Sequence, residues 1–314
     1  MTGQTMYFYR LCGINLASEL RLPELSPVLA PELASELSSK DLSPDVEFVF
    51  GQVHPLVEPS HTIRSYQMQG DAAFLWDVKD YGRYLVTGGN RITVDPAPNA
   101  SELAARAVLI GPIQSILWYQ RRQVALHASA VLRQGAAICI SGKSGAGKSV
   151  VTALLAERGF PVMADDLCVL GSGDTEVRIL PGYAALRLWD DVSEQLPGLR
   201  KLEPVHINGQ KSLVSFGDAA PLPESLAISD LVLLNARGGE FSIERCSEFQ
   251  LLQRWGELAH LPLAARAMGR MMQIVQQLHG LIAGGTRVWS VTLPDDLAAT
   301  RTAIDPLLAA LDAP

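Results

Sequence analysis

The spacing of apolar and polar positions changes character near residue 100. Before that point, residues 46–50, 73–78 and 84–87 are short β-prone runs, and 90–94 follows a Gly88-Gly89-Asn90 turn. Met6 to Tyr9 adds an aromatic-rich run, and 23–45, thick with Pro, Ser, Glu and Leu, reads as a surface loop. Together these predict a small antiparallel sheet without a catalytic constellation; His54 and His61 flank a Pro-rich loop as surface residues. After a break at 96–99, apolar residues recur every three or four positions from Leu103 to Tyr119, predicting a long amphipathic helix that ends at Arg121-Arg122. The change in period divides the chain into a smaller β-rich N-terminal domain over 1–100 and an α/β domain over 101–314.

In the second part, 124–132 and 136–141 read as two strands around Arg133-Gln134-Gly135. A three-residue loop would set His127 opposite Ser141 and a two-residue loop opposite Gly142. Either register puts the imidazole at the edge of the glycine-rich segment that begins at Gly142. His127 shares its strand face with Ala125, Ser129 and Val131, the less apolar of the two faces.

That segment, Gly142-Lys143-Ser144-Gly145-Ala146-Gly147-Lys148-Ser149, is a complete G-x-x-x-x-G-K-[ST] phosphate-binding loop between an apolar strand and a helical pattern. The glycines let backbone N–H groups turn toward phosphate oxygens, Lys148 can reach the β- and γ-phosphates, and the Ser149 hydroxyl can hold Mg²⁺. All eight residues are candidate nucleotide contacts. A helix over 150–158 stops at Gly159, and a strand over 162–164 leads to Asp165-Asp166. Strand, loop, helix and strand make a βαβ unit, predicting two parallel strands joined right-handedly. If the acidic pair stays extended, only one carboxylate faces the γ-phosphate, so the two have distinct roles: base, metal or water contact, or loop fixing.

The remainder predicts a strand at 231–234, helices over 249–259 and 264–278, a strand at 287–293, and a last helix opened by Pro294-Asp295-Asp296. His206, His260 and His279 have no partner at metal-ligand spacing.

Composition narrows the function classes. The 314 residues are 48% hydrophobic and carry a net charge of −7, which favours a large buried core and disfavours a nucleic-acid-binding surface. No apolar run approaches the length of a membrane span and no cleavable leader is visible. Cys12, Cys139, Cys168 and Cys246 are scattered and form no zinc pattern, as expected for a reducing, cytoplasmic setting.

The run LHASAV, the ISGKSGAGKS loop, LAERGF and ADD, all within 126–170, resemble the catalytic domain of HPr kinase/phosphorylase. They are similar above all to the HPr-kinase-related serine kinases of lasso-peptide and similar peptide-modification systems. The resemblance implies an α/β P-loop catalytic domain with a mixed central sheet, ATP and Mg²⁺ as cofactors, and phosphoryl transfer to a serine of a peptide or protein. It implies His127 as an assisting residue, Lys148 and Ser149 on phosphates and metal, and Asp165/Asp166 as base and helper. Asp165 is favoured as the base, and Asp166 is paired with Ser149 at the metal. A PGY…LRLW-like stretch (181–189) and Lys211, a basic residue able to stabilise the transferring phosphoryl group, fit the same group. HPr kinases proper carry a Leu-Glu-x-Arg-Gly segment that 180–216 lacks, which argues against HPr as substrate and against a reverse reaction. The resemblance also implies a homo-oligomer. A small-molecule kinase and a nucleotide-sensing adaptor without transfer activity are the alternatives.

Overall fold

The structure is a computed structural model describing residues 6–25, 44–172, 176–205, 210–216 and 222–313. His206 and most of the loop expected at 23–45 lie outside the described residues.

Eight strands form the first sheet: β1 (Tyr7–Leu11), β2 (Ile14–Ser18), β3 (Val46–Phe50), β4 (His61–Ile63), β5 (Tyr66–Gln69), β6 (Ala73–Val78), β7 (Gly82–Thr87) and β8 (Arg91–Pro96). Their order is β1-β2-β3-β8-β7-β6-β5-β4. The sheet is mixed, not antiparallel as expected. β3 enters parallel to β2 after a long connection, and β8 pairs parallel with β3 while closing a hairpin with β7. Hairpin chemistry was readable at β6–β8; a crossover leaves no local signature.

The expected long helix is three pieces: α1 (Glu102–Val108), a π-turn (Leu109–Ile113) and α2 (Gln114–Gln120). Pro112 has no N–H to donate and crowds the preceding turn, and the widened turn accommodates it. Nor is the helix amphipathic. From Gln114 to Tyr119 every residue is buried, because the helix is packed between the first sheet and the second.

The second sheet contains β9 (Val124–Leu126), β10 (Ala128–Arg133), β11 (Ala136–Gly142), β12 (Val162–Ala164), β13 (Cys168–Ser172), β14 (Val177–Leu180) and β18 (Leu226–Leu234), in the order β12-β10-β11-β18-β14-β13-β9. β20 (Arg287–Thr292) pairs with β18, and β19 (Ser242–Arg245) with β20. The β10–β11 hairpin turns through two residues, Gln134 (φ 50°) and Gly135 (φ 81°), so the three-residue register is overturned. β11 and β12 run in the same direction, but β10 lies between them; the parallel neighbour of β11 is β18.

Alternation along β11 and β18 divides the core. Ala137, Cys139, Leu231 and Leu233 face a cluster that continues through Trp118 to Tyr84 and Phe48 of the first sheet. Ile138, Ile140, Val232 and Leu234 face α3 (Lys148–Glu157) and α9 (Leu297–Asp312). α3 ends in a Schellman motif: Gly159 N–H donates to Ala156 O and Phe160 N–H to Leu155 O. A smaller sheet, β15 (Leu186–Trp189), β17 (Lys211–Phe216) and β16 (Leu199–Pro204), comes next, with α4 (Asp190–Ser193) at its edge. The two expected C-terminal helices are each broken, into α5 (Glu248–Gln253) and α6 (Trp255–Leu258), and into α7 (Pro262–Ala267) and α8 (Met271–Ala283). Asp296 caps α9 by accepting from Ala299 N–H.

Candidate active site

The phosphate loop leaves the sheet at the C-terminal end of β11, beside the end of β18, the position where open α/β sheets bind ligands. At Gly142 the two strands are so close that a Cβ would lie 2.8 Å from Leu234 O. Gly147 has φ 100°, a left-handed conformation that opens α3 directly onto the loop. Lys148 is 8% exposed and folds back to donate from Nζ to Gly142 O at 2.9 Å. Burial lowers its pKa, Asp166 and Asp165 oppose that, and Lys211 adds to it. Lys211 is thus within electrostatic reach of the loop, its ammonium also lying 5.7 Å from the Trp189 ring centroid. Lys143 points away and pairs with Glu257 at 3.3 Å, and Ser144 is exposed.

The two aspartates separate because Asp166 adopts φ 68° and turns the chain out of the strand direction. Asp165 is 1% exposed and fully engaged. Its Oδ1 accepts from Ser129 Oγ at 2.7 Å and Ser149 Oγ at 2.9 Å, and its Oδ2 from Arg187 N–H at 2.9 Å. Asp166 keeps a third of its side chain exposed. His127 Nε2 lies 3.1 Å from its Oδ1, and His260 Nε2 3.7 Å from its Oδ2. Burial pushes the Asp166 carboxyl up, but the two histidines beside it and the charge of Arg187 outweigh it and hold the group well below the usual carboxylate range.

Asp165, favoured as base, is enclosed by three donors, whereas the carboxylate facing outward beside a histidine is Asp166. Ser149, expected to share a metal with Asp166, is bonded to Asp165.

A short backbone bridge brings the histidines together. His127 N–H donates to Leu258 O, His260 N–H donates to Ala125 O, and Leu126 pairs with Ala259 between them. The imidazoles meet edge to face at 5.3 Å. Tyr119 Oη, buried in α2, donates to the His260 carbonyl. His260 Nδ1 is buried without a hydrogen-bond partner among the described residues.

Two arginines escaped the sequence reading. Arg187 of β15 anchors Asp165 through its backbone, and its side chain lies 6.0 Å from the Tyr183 ring centroid. Its Nε and Nη2 are buried without partners among the described residues. Arg237, just beyond β18, lays its guanidinium against Gly147 and donates from Nη2 to Thr300 Oγ1 at 2.8 Å. Arg187 lies in the LRLW of the 181–189 stretch without having been singled out there, and Arg237 lies in no recognisable motif. Both depend on which strand ends meet the loop, as does His260. His54 and His61 are exposed as expected, and His279 bonds Glu248 away from the site.

No family model and no curated protein matches the chain. Among solved structures, the Hpr(Ser) kinase/phosphatase from Coxiella burnetii is similar over 60% of this chain and 99% of that chain, at 10% identity and a TM-score of 0.28. So distant a likeness carries no argument about function, which rests on the chain's own geometry. Among the described residues no helix is long and apolar enough to cross a membrane.

Proposed function

We propose that this chain is an ATP- and Mg²⁺-dependent kinase that transfers the γ-phosphoryl group to a serine hydroxyl of a peptide or protein. The observation that carries the reading is the pairing of a complete phosphate loop with a partly exposed carboxylate, Asp166, kept ionised by His127 and His260. A phosphate loop alone supports nucleotide binding. A solvent-facing carboxylate beside it supplies what a hydroxyl acceptor needs.

The residues fit the substrate and its metal. The left-handed glycines and the start of α3 supply N–H groups for phosphate oxygens, and Lys148 supplies charge. Ser149 and Asp165 are neighbouring hard oxygen donors of the kind Mg²⁺ takes alongside water and phosphate oxygens. The metal, when bound, neutralises charge on the phosphates. Asp166 accepts the hydroxyl proton and His127 steadies it. Lys211 and Arg187 are the cations this reading assigns to the developing charge on the transferring group. Phosphoryl transfer asks little covalent help of a protein, so positioning and charge dominate.

The test is γ-labelled ATP with the purified protein and candidate peptides encoded beside its gene, read by intact mass. A phosphate added to a serine supports the reading. A phosphorylated metabolite formed without peptide indicates a small-molecule kinase. Tight ATP binding with no labelled acceptor, and a partner held only in the nucleotide-bound state, indicates an adaptor.

A further inference from the structure

Arg237, just beyond β18, lies flat against the end of the phosphate loop. A Cβ built on Gly147 would stand 3.6 Å from its Nε, 3.7 Å from its Cζ and 3.9 Å from its Cδ. Near-equal distances of that size to three consecutive atoms of a planar group are met over its face; no point in its plane gives them. One face of the guanidinium therefore rests on the glycine that precedes Lys148. Its Nη2 donates to Thr300 Oγ1 at 2.8 Å, and that hydroxyl donates to the carbonyl of Asp296, the cap of α9, at 2.8 Å. The group is thus held in one plane before any ligand arrives. Its Nε is buried without a hydrogen-bond partner among the described residues, so with Nη2 taken by Thr300 what it chiefly offers a ligand is its second face. Arg237 is half-buried, and Ala236, Gly238 and Gly239 beside it are exposed, so the place opens on solvent.

Strand order says which part of a nucleotide can reach it. In the run β12-β10-β11-β18, Asp166 follows β12 on one side of the phosphate loop and Arg237 follows β18 on the other. A triphosphate laid along the loop with its γ-phosphorus toward Asp166 carries its nucleoside toward Arg237. Building on the nucleotide part of the kinase reading, we propose that Arg237 is the platform on which the base of the bound nucleotide stacks. The base lies on the guanidinium face opposite Gly147. A guanidinium is planar, delocalised and weakly hydrated, so it stacks on an aromatic ring without the desolvation an ammonium would demand. Because Gly147 and Thr300 already fix its plane, little side-chain freedom is lost when the base arrives. Such a platform grips any flat base and leaves the phosphates to the loop, dividing affinity between two ends of one ligand.

The test is titration calorimetry of the full chain with two probes in the presence of Mg²⁺: ATP, and inorganic tripolyphosphate, which has the phosphates and no base. Arg237→Ala should weaken ATP binding by at least about fivefold more than it weakens tripolyphosphate binding, the lower end of what one stacked base supplies. An equal loss on both probes would make Arg237 a phosphate contact or a support for the loop, and overturns the proposal. So does undiminished ATP affinity in the variant. Should Arg237→Ala fail to fold, as judged by its melting temperature without ligand, Arg237→Lys decides. It keeps the charge and loses the plane, so ATP affinity should fall while tripolyphosphate affinity holds; a lysine that binds ATP as well as the wild type overturns the platform. If the wild type binds neither probe, the nucleotide reading falls and the platform with it. If it binds ATP but labels no acceptor, the transfer reading alone falls, and the difference between the two probes still decides the role of Arg237.

Discussion

His127 Nε2 stands 3.1 Å from Asp166 Oδ1, whereas Ser149, in the first turn of α3, bonds the other aspartate, Asp165. The two aspartates, adjacent in sequence, therefore have separate jobs. Asp165 ties loop, hairpin and β15 together, and Asp166 faces solvent. Asp166→Asn should lower phosphoryl transfer by about a hundredfold or more, the range for losing a general base, while ATP affinity is retained. Steady-state kinetics alongside nucleotide titration would check both halves.

Asp165→Asn should act on the fold. An amide presents an NH₂ either to the two hydroxyls or to Arg187 N–H, so one side loses its acceptor in a buried place. The cost should be about 1–3 kcal/mol, seen as a lower melting temperature in the absence of any ligand.

The depressed pKa of Asp166 makes a prediction about acid. A carboxyl ionised more readily in the folded state than in the unfolded one stabilises the fold above its unfolded pKa, near 3.8. That stabilisation is lost as pH falls through the lower folded value, where the unfolded chain binds more protons. Wild type and Asp166→Asn, compared by denaturant unfolding, should differ by a constant amount from neutral pH to about pH 5. The difference should shrink below pH 4.

His260→Leu should slow transfer more than it weakens ATP binding. Losing a charged contact at 3.7 Å is worth up to about 1 kcal/mol, which is about fivefold in rate. His260→Gln, whose amide can still donate to Asp166, should recover part of the loss; equal kcat for the two variants would assign His260 to packing alone.

Gly142→Ala should destabilise the protein, since its Cβ would fall 2.8 Å from a backbone oxygen of β18 that cannot move independently. A loss of about 1–3 kcal/mol is expected, measurable by thermal unfolding without nucleotide.

The parts of this site that were legible in the sequence were local. The phosphate loop, the Gly159 stop and the acidic pair each arise from residue types a few positions apart. His127 could be placed at the loop's edge because a short hairpin ties it there, whichever turn forms. What local pattern cannot convey is the neighbour across a sheet. Nothing around His260 in sequence distinguishes it from His279, yet a three-residue bridge delivers it to Asp166 while the other pairs with Glu248 on the surface. Which of the two aspartates is enclosed and which turns outward was hidden for a similar reason: it hangs on one positive φ at Asp166. The helix period missed the π-turn because Pro112 can be absorbed without ending the helix.

The Leu126–Ala259 bridge has a consequence for how the protein is made. A chain emerging from the ribosome N-terminus first presents the phosphate loop and both aspartates long before the segment that carries His260. A product terminated before residue 260 would therefore lack both His260 and the bridge that holds it beside Asp166.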